Sequence, residues 1–332
     1  MKRPRSTIRD VASAAGVSIS TASNALNGTG RTNAETRERV KRVAQEIGFR
    51  PNALARSLLT RRSQTLGILT NDTYGRLTLP IAAGVSETLV DHGVSVLLCA
   101  TNNEPRLAKL HLETLLDKQV DGVIFTATRI DMAPQVDLGA LPVPVVYAFA
   151  EGPPGAISFV PDDRQGALLA VAHLAALGRR RIAHVTGPQD WRAVRARAEG
   201  WQEVTGGGSP LFGEWTEEWG RAAVDSLFNA ADVPPDAVFC GSDEIARGVL
   251  DALRDRDVST PDAVAVVGFD NWEVVARQTR PPLTTIDMAL KTLGHRTALA
   301  MLALTTGEAV AAGVTRLPCE LVVRRSCGAT IG

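Results

Sequence analysis

Four cysteines, Cys99, Cys240, Cys319 and Cys327, are all that 332 residues carry, and no two of them form a CxxC. That spacing fits neither a disulfide framework nor a zinc site and points to a reduced, cytosolic setting. The opening MKRPRST has no apolar core, so no secretion signal is expected, and the sequons at Asn27 and Asn71 read as accidental. No apolar run reaches the roughly 18–20 residues of a membrane span. The five histidines (92, 111, 173, 184 and 295) lack metal-ligand spacing, and GxSxG, HExxH and P-loop motifs are missing. Gly28-Thr29-Gly30 follows a helical pattern rather than a strand and reads as a loop. An enzyme is therefore the weaker class, and no cofactor or metal is called for.

Net charge is missing too: 36 Lys and Arg oppose 36 Asp and Glu. The balance hides an asymmetry. Residues 1–63 hold 13 basic against 4 acidic side chains, and the remainder holds 23 against 32. A small basic module on a larger acidic body suits a phosphate-binding headpiece carried by a domain that does not itself adhere to DNA. The plainer alternative is a solvated basic tail. Length implies two or three domains, and 45% hydrophobic content supports sizeable cores.

Residues 7–27, TIRDVASAAGVSISTASNALN, split into two short helical patterns around Gly16. Ile8, Val11, Ala12 and Ala15 share one helix face, and Thr7 with Asp10 has capping-box spacing. Gly16 can take the left-handed conformation that ends a helix, and Ser18 can cap the next. On that second helix Ala22, Ala25 and Leu26 fall inward, while Ile19, Ser20 and Asn24 fall outward. Two short helices joined by a tight turn make a helix-turn-helix, whose second helix fits the DNA major groove; an ordinary helical corner is the alternative. A third helix is predicted from Asn33, with Val40, Val43, Ala44 and Ile47 buried and Gly48 as its stop. The stretch PNALARSLLTRRS, residues 51–63, reads as a short helix capped by Asn52.

Outward position assigns base reading to Ile19, Ser20 and Asn24: Asn pairs bidentately with adenine, Ser bonds several bases, and Ile meets a thymine methyl. Thr21, Ser23 and the basic residues of the third helix are expected on phosphates, which position without specifying. Thr7, Ser18, Asn27 and Asn52, at the helix ends, join this expected DNA-facing set.

From residue 64 apolar strand runs such as TLGILTN, DGVIFTA and AVAVVGFD alternate with helical stretches such as QGALLAVAHLAALG and DEIARGVLDALRD. The fold class expected is α/β, with two doubly wound parallel sheets. Ligands bind such sheets beyond the carboxyl ends of the strands.

The motifs TIRDVASAAGVS, TASNALN, TRERV and PNALARSL, in this order and spacing, resemble the lactose-repressor (LacI/GalR) family of bacterial transcription regulators. The likeness continues through DGVI, HLAALGRRRIAHVTGP, DAVFC, DEIARG, VAVVGFDN and PPLTTI. It implies a helix-turn-helix headpiece over 1–50, a hinge helix over 51–63 and a bilobed periplasmic-binding-protein-like core. The first lobe would comprise 64–160 and 289–317, and the second 161–288 and 318–332. In the family the hinge helix forms on DNA and wedges a leucine into the minor groove. Leu58 matches that leucine and Ala55 a residue near the groove floor; the alternative packs Leu58 on the core. Asn24 stands where the family often has Arg, so a familiar operator half-site does not follow.

The resemblance also implies a small molecule held between the lobes. Arg197, in Arg197-x-x-Gly200, matches the family's ligand-binding arginine, and Asp270 its aspartate. Together they suit neighbouring sugar hydroxyls, although a salt bridge bracing the lobes is the alternative. Asp72, Tyr74, Phe149, Asp163, Trp191, Asp243 and Trp272 fall in loops at the matching cleft rim. Three departures stand out: Leu77-Thr78 replaces paired aromatics, Gly241-Ser242-Asp243 replaces a common Asn-Asp, and TGGGSPLFGEWTEEWG after Trp201 is shorter than usual. That stretch reads as a flexible lid or a deletion, with Trp215 and Trp219 facing ligand or solvent. The function implied is a ligand-responsive, dimeric, cytoplasmic repressor on a palindromic double-stranded operator, joined through the first lobe and released by a sugar. A purine-type corepressed regulator is the runner-up, and an enzyme or a solute receptor lies further off.

Overall fold

The computed structural model describes residues 6–27, 30–49, 62–229 and 233–329. The chain divides into two compact units, residues 1–63 and 64–332.

In the first unit, helices α1 (Ile8–Ala15), α2 (Ile19–Asn27) and α3 (Ala34–Glu46) enclose a core of Val11, Ala12, Ala15, Ala22, Ala25, Val40 and Ala44. Gly16 ends α1 at φ 64°, a left-handed turn that a Cβ would strain, and this turns α2 away. Asn33 caps α3 by accepting from the Thr36 N–H at 2.7 Å. Alanine lets the helices approach closely but buries little apolar area, so a unit this small has modest stability of its own.

The second unit is two six-stranded sheets with helices packed on them. In chain order its elements are β1 (Thr65–Thr70), α4 (Thr78–Val90), β2 (Ser95–Ala100), α5 (Pro105–Asp117), β3 (Gly122–Thr126), β4 (Val145–Ala148) and β5 (Ile157–Pro161). Then follow α6 (Asp163–Ala176), β6 (Ile182–Thr186), α7 (Arg192–Thr205), β7 (Leu211–Phe212), α8 (Glu217–Asn229), β8 (Ala237–Cys240) and α9 (Asp243–Asp255). The remainder is β9 (Ala265–Phe269), α10 (Glu273–Ala276), β10 (Thr284–Asp287), α11 (Leu290–Thr306), β11 (Gly313–Leu317) and β12 (Glu320–Val322).

The first sheet runs β11-β5-β4-β3-β1-β2, all parallel, and the second β12-β10-β9-β8-β6-β7, parallel except for β12 against β10. The chain thus crosses from sheet to sheet after β5, after β10 and between β11 and β12. Central strands such as β3 and β9 are buried along their whole length, as strands covered on both faces must be. The Gly-rich stretch after Trp201 joins the second sheet. Gly206, Gly207 and Gly208, all at positive φ, carry the chain off α7 into β7, an edge strand on β6, and then into α8.

Candidate ligand cleft and nucleic-acid interface

On the headpiece, the Asp10 carboxylate accepts from the Thr7 backbone N–H at 2.7 Å and the Thr7 hydroxyl at 2.8 Å. Those bonds, the backbone one first, hold Asp10 below the usual carboxylate range. Ser18 Oγ accepts from the Thr21 N–H at 3.0 Å and lies 2.8 Å from both Ser20 Oγ and Thr21 Oγ1. Ser18 and Thr21 therefore start the helix as well as lying on its outer side. Ala22 and Ala25 are fully buried, whereas Ile19 is 47% exposed and Ser20 is exposed. A large apolar side chain left in water at the start of α2 is what a thymine methyl would cover. Ser23 and Asn24 are half-buried and the backbone of Asn27 closes α2. Asn52, Ala55 and Leu58 lie outside the described residues.

In the second unit, a cleft of about 560 Å³ opens between the two lobes, at the carboxyl ends of several strands. Its position follows from helix packing. Gly200 lets α7 lie close on α6: a Cβ there would come within 2.5 Å of the Arg164 carbonyl oxygen. The close approach carries Arg197 to Asp163, at the start of α6, where Nε donates to Oδ1 at 2.8 Å and Nη2 lies at 2.7 Å. Nη1 donates to the Gly241 carbonyl, and the guanidinium lies 3.7 Å from the Phe269 ring centroid. Arg197 lines the cleft yet is only 4% exposed. Asp163, 4% exposed, is not among the cleft-lining residues; it holds Arg197 from behind.

Asp270 faces this arginine from the end of β9. Its φ of 112° is costly for a residue with a Cβ, and it is held there as the Asp270 N–H donates to the Ile286 carbonyl at 2.8 Å. Oδ1 lies 3.9 Å from Arg197 Nη1, and Oδ2 accepts from Arg76 Nη2. Beneath it Asp243, fully buried, accepts from the Trp272 N–H at 2.7 Å and the Thr285 hydroxyl at 2.5 Å. Burial, then the Asp270 charge, pushes Asp243 up to about 8. Asp270 is also raised, burial outweighing the pull of Arg76 and Arg197. Asp243 supports the Asp270 loop and does not itself reach the cleft.

Of the remaining residues expected at the rim, Asp72, Tyr74, Phe149, Trp191 and Trp272 all line the cleft, but unequally. The Asp72 carboxylate accepts from the Gly75, Leu77 and Thr78 N–H groups at 2.8–2.9 Å, so it starts α4. Tyr74 is 93% exposed and stands at the mouth. Phe149 is buried and floors the first lobe. Trp191 packs with Trp215, ring centroids 5.5 Å apart. Trp219 turns away, its indole donating to the Thr186 carbonyl at 2.9 Å.

Sequence reasoning missed Arg76, Arg129, Glu244 and Met288, which also line the cleft. Arg76 Nη1 donates to Glu244 Oε2 at 2.8 Å, and its guanidinium carbon lies 5.1 Å from the Trp272 ring centroid. Burial works against its charge, but Asp270, Glu244 and Asp243 outweigh that and raise its pKa. Arg129 lies 4.6 Å from the Trp191 ring centroid. The signal that could have found both arginines is position: each follows the carboxyl end of a parallel strand, β1 or β3. Among the described residues no cluster of potential metal ligands occurs, and no helix is long and apolar enough to cross a membrane.

Known proteins share both parts of this arrangement. Residues 7–52 match the family described as bacterial regulatory proteins, lacI family, and residues 171–327 match a periplasmic binding protein-like domain. The HTH-type transcriptional regulator DegA of Bacillus subtilis (strain 168) is 31% identical, over 97% of this chain and 98% of its own. The Lac repressor dimer bound to operator and the anti-inducer ONPF superposes with a TM-score of 0.77 at 28% identity, over 98% of this chain and 100% of that one. A complex of the transcriptional regulator CelR with cellobiose gives 0.68 at 30% identity, over 97% and 100%. With a helix-turn-helix headpiece, a two-lobed α/β core and end-to-end likeness to such regulators, the chain belongs to the lacI family of bacterial transcriptional regulators.

Proposed function

We propose that this regulator is a cytoplasmic repressor that binds a palindromic operator as a dimer and is released when a sugar fills the cleft. The observation that carries the effector class is the cleft itself. Arg197 and Asp270 approach it from one lobe, able to donate to and accept from adjacent hydroxyls, and Trp191, Trp215 and Trp272 supply flat apolar faces for a sugar ring. The cellobiose held by the related CelR supports the same reading.

On the headpiece, Ile19, Ser20 and Asn24 would read bases, Thr21 and Ser23 would hold phosphates, and Leu58 would wedge the central step. The two lobes, 64–160 with 289–317 and 161–288 with 318–332, would close on the effector. For the dimer, the first lobe offers β2, an edge strand with Leu97 38% and Leu98 47% exposed, a surface that a two-fold partner would cover. Closure would move the lobes at that interface and part the hinge segments, a coupling typically worth about 1–3 kcal/mol.

The test is thermal unfolding against mono- and oligosaccharides, sugar phosphates, nucleosides and nucleobases. An effector at about 100 times its dissociation constant adds roughly 2.7 kcal/mol of stability. A sugar that raises the midpoint and frees operator DNA supports the proposal. A nucleobase that strengthens operator binding would replace it with corepression, and a panel without a shift would remove the sugar reading.

A further inference from the structure

We propose that Arg76 is a built-in occupant of the cleft: it fills a cation subsite formed by Asp270, Glu244 and the Trp272 ring and so ties the lobes together, and an effector enters by displacing it. The inference rests on the cleft being the effector site. Arg76 stands on the loop between β1 and α4 of the first lobe, and its three partners stand on the second. Nη1 donates to Glu244 at 2.8 Å, Nη2 donates to Asp270, and the guanidinium carbon is 5.1 Å from the indole centroid. Two carboxylates and an indole face are what a guanidinium binds best.

The alternative cation for Asp270 is already engaged. Arg197 gives Nε and Nη2 to Asp163 and Nη1 to the Gly241 carbonyl, and stays 3.9 Å from Asp270. Without Arg76, Asp270 and Glu244 would face the cleft as like charges above buried Asp243, an arrangement that low dielectric penalises. A sugar hydroxyl approaching Asp270 Oδ2 meets Arg76 there. Arg129 also spans the lobes, 4.6 Å from the Trp191 ring centroid and 3.5 Å from Asp190. No contact of Arg129 with Asp270 or Glu244 occurs among the described residues, whereas Arg76 contacts both, Asp270 being the carboxylate proposed to meet the effector.

The test uses the full-length, effector-free protein and acrylamide quenching of its tryptophans, three of which (Trp191, Trp215 and Trp272) line the cleft. Losing a charge-assisted pair of this kind should raise the population of open molecules about tenfold or more. Arg76→Ala is expected to quench more strongly than the wild type. The wild type should approach it as NaCl rises to about 1 M, where screening acts within about 3 Å, while the variant changes little. Methylguanidinium chloride, compared with NaCl at equal ionic strength, should return Arg76→Ala towards wild-type quenching by refilling the subsite. Glu244→Gln, which keeps the fold of the arginine loop, should show part of the rise. Quenching of Arg76→Ala equal to the wild type at every salt concentration, with no response specific to methylguanidinium, overturns the proposal. None of these measurements uses effector or operator, so a sugar panel without a hit would sink the effector reading and leave this result standing.

Discussion

Replacing His184 by Gln should remove a defined part of the protein's acid sensitivity. His184, on β6, is 1% exposed, its ring stacked on Phe239 at 4.6 Å and 12° with Trp201 5.8 Å away. Nδ1 lies 2.9 Å from the Phe239 carbonyl oxygen, and Nε2 is buried with no hydrogen-bond partner among the described residues. Burial, partly opposed by the carbonyl bond and reinforced by Arg197, lowers its pKa from 6.5 to about 4. The unfolded chain takes up this proton near 6.5 and the folded chain only near 4, so between those values the unfolded state binds more protons and stability falls as pH falls. At about 1.36 kcal/mol per pKa unit the full loss is about 3 kcal/mol below pH 4, and about 2 kcal/mol is already lost by pH 5. Gln keeps a donor for the Phe239 carbonyl and does not titrate. Urea unfolding followed by far-UV circular dichroism, at about pH 7.5 and about pH 5, isolates the residue because every other ionisable group is common to both proteins. The variant should start weaker, having lost the ring contacts, yet lose about 2 kcal/mol less on acidification. Equal losses in the two proteins would refute a neutral, proton-excluding histidine in this core.

Three further outcomes are expected. Asp270→Ala should abolish release from operator DNA by the effector while operator binding itself is retained, since Asp270 lines the cleft; anisotropy titrations with and without effector check this, and normal release would contradict it. Gly200→Ala should cost about 1–3 kcal/mol of stability, because the added methyl meets the Arg164 carbonyl at 2.5 Å and must push α7 off α6; an unchanged thermal midpoint would show that the helices can part freely. Leu58→Ala should weaken operator binding about tenfold or more through loss of an unstacking wedge while sparing effector binding, and unchanged affinity would remove Leu58 from that role.

Much of this architecture is legible from periodicity. The inward face of α2 can be read from Ala22, Ala25 and Leu26, because a 3.6-residue repeat admits only one apolar stripe there. The stretch DEIARGVLDALRD predicts α9, and Ser242, immediately before it, caps the helix through the Ile245 N–H at 3.2 Å. The strand β7 is two residues long and leaves no repeat to detect, which is why the stretch after Trp201 reads as lid or deletion. The rim carboxylates show the other limit. Asp72, Asp163, Asp243 and Asp270 all follow strand ends, but the first caps a helix, the second holds Arg197 and the third lies under the fourth.

Local spacing and composition within a few turns of chain are enough to give most of the elements, their order, the basic headpiece and the likeness to a known family, β7 being too short to leave such a signal. Which charges meet is a matter of the folded core. Arg76 and Asp270 are 194 residues apart, and their contact exists because the two sheets of the core set the loop after β1 against the loop after β9. The preference of each side chain for a counter-charge is local chemistry. The partner it finds is set by the distance between lobes, which no repeat in the sequence encodes.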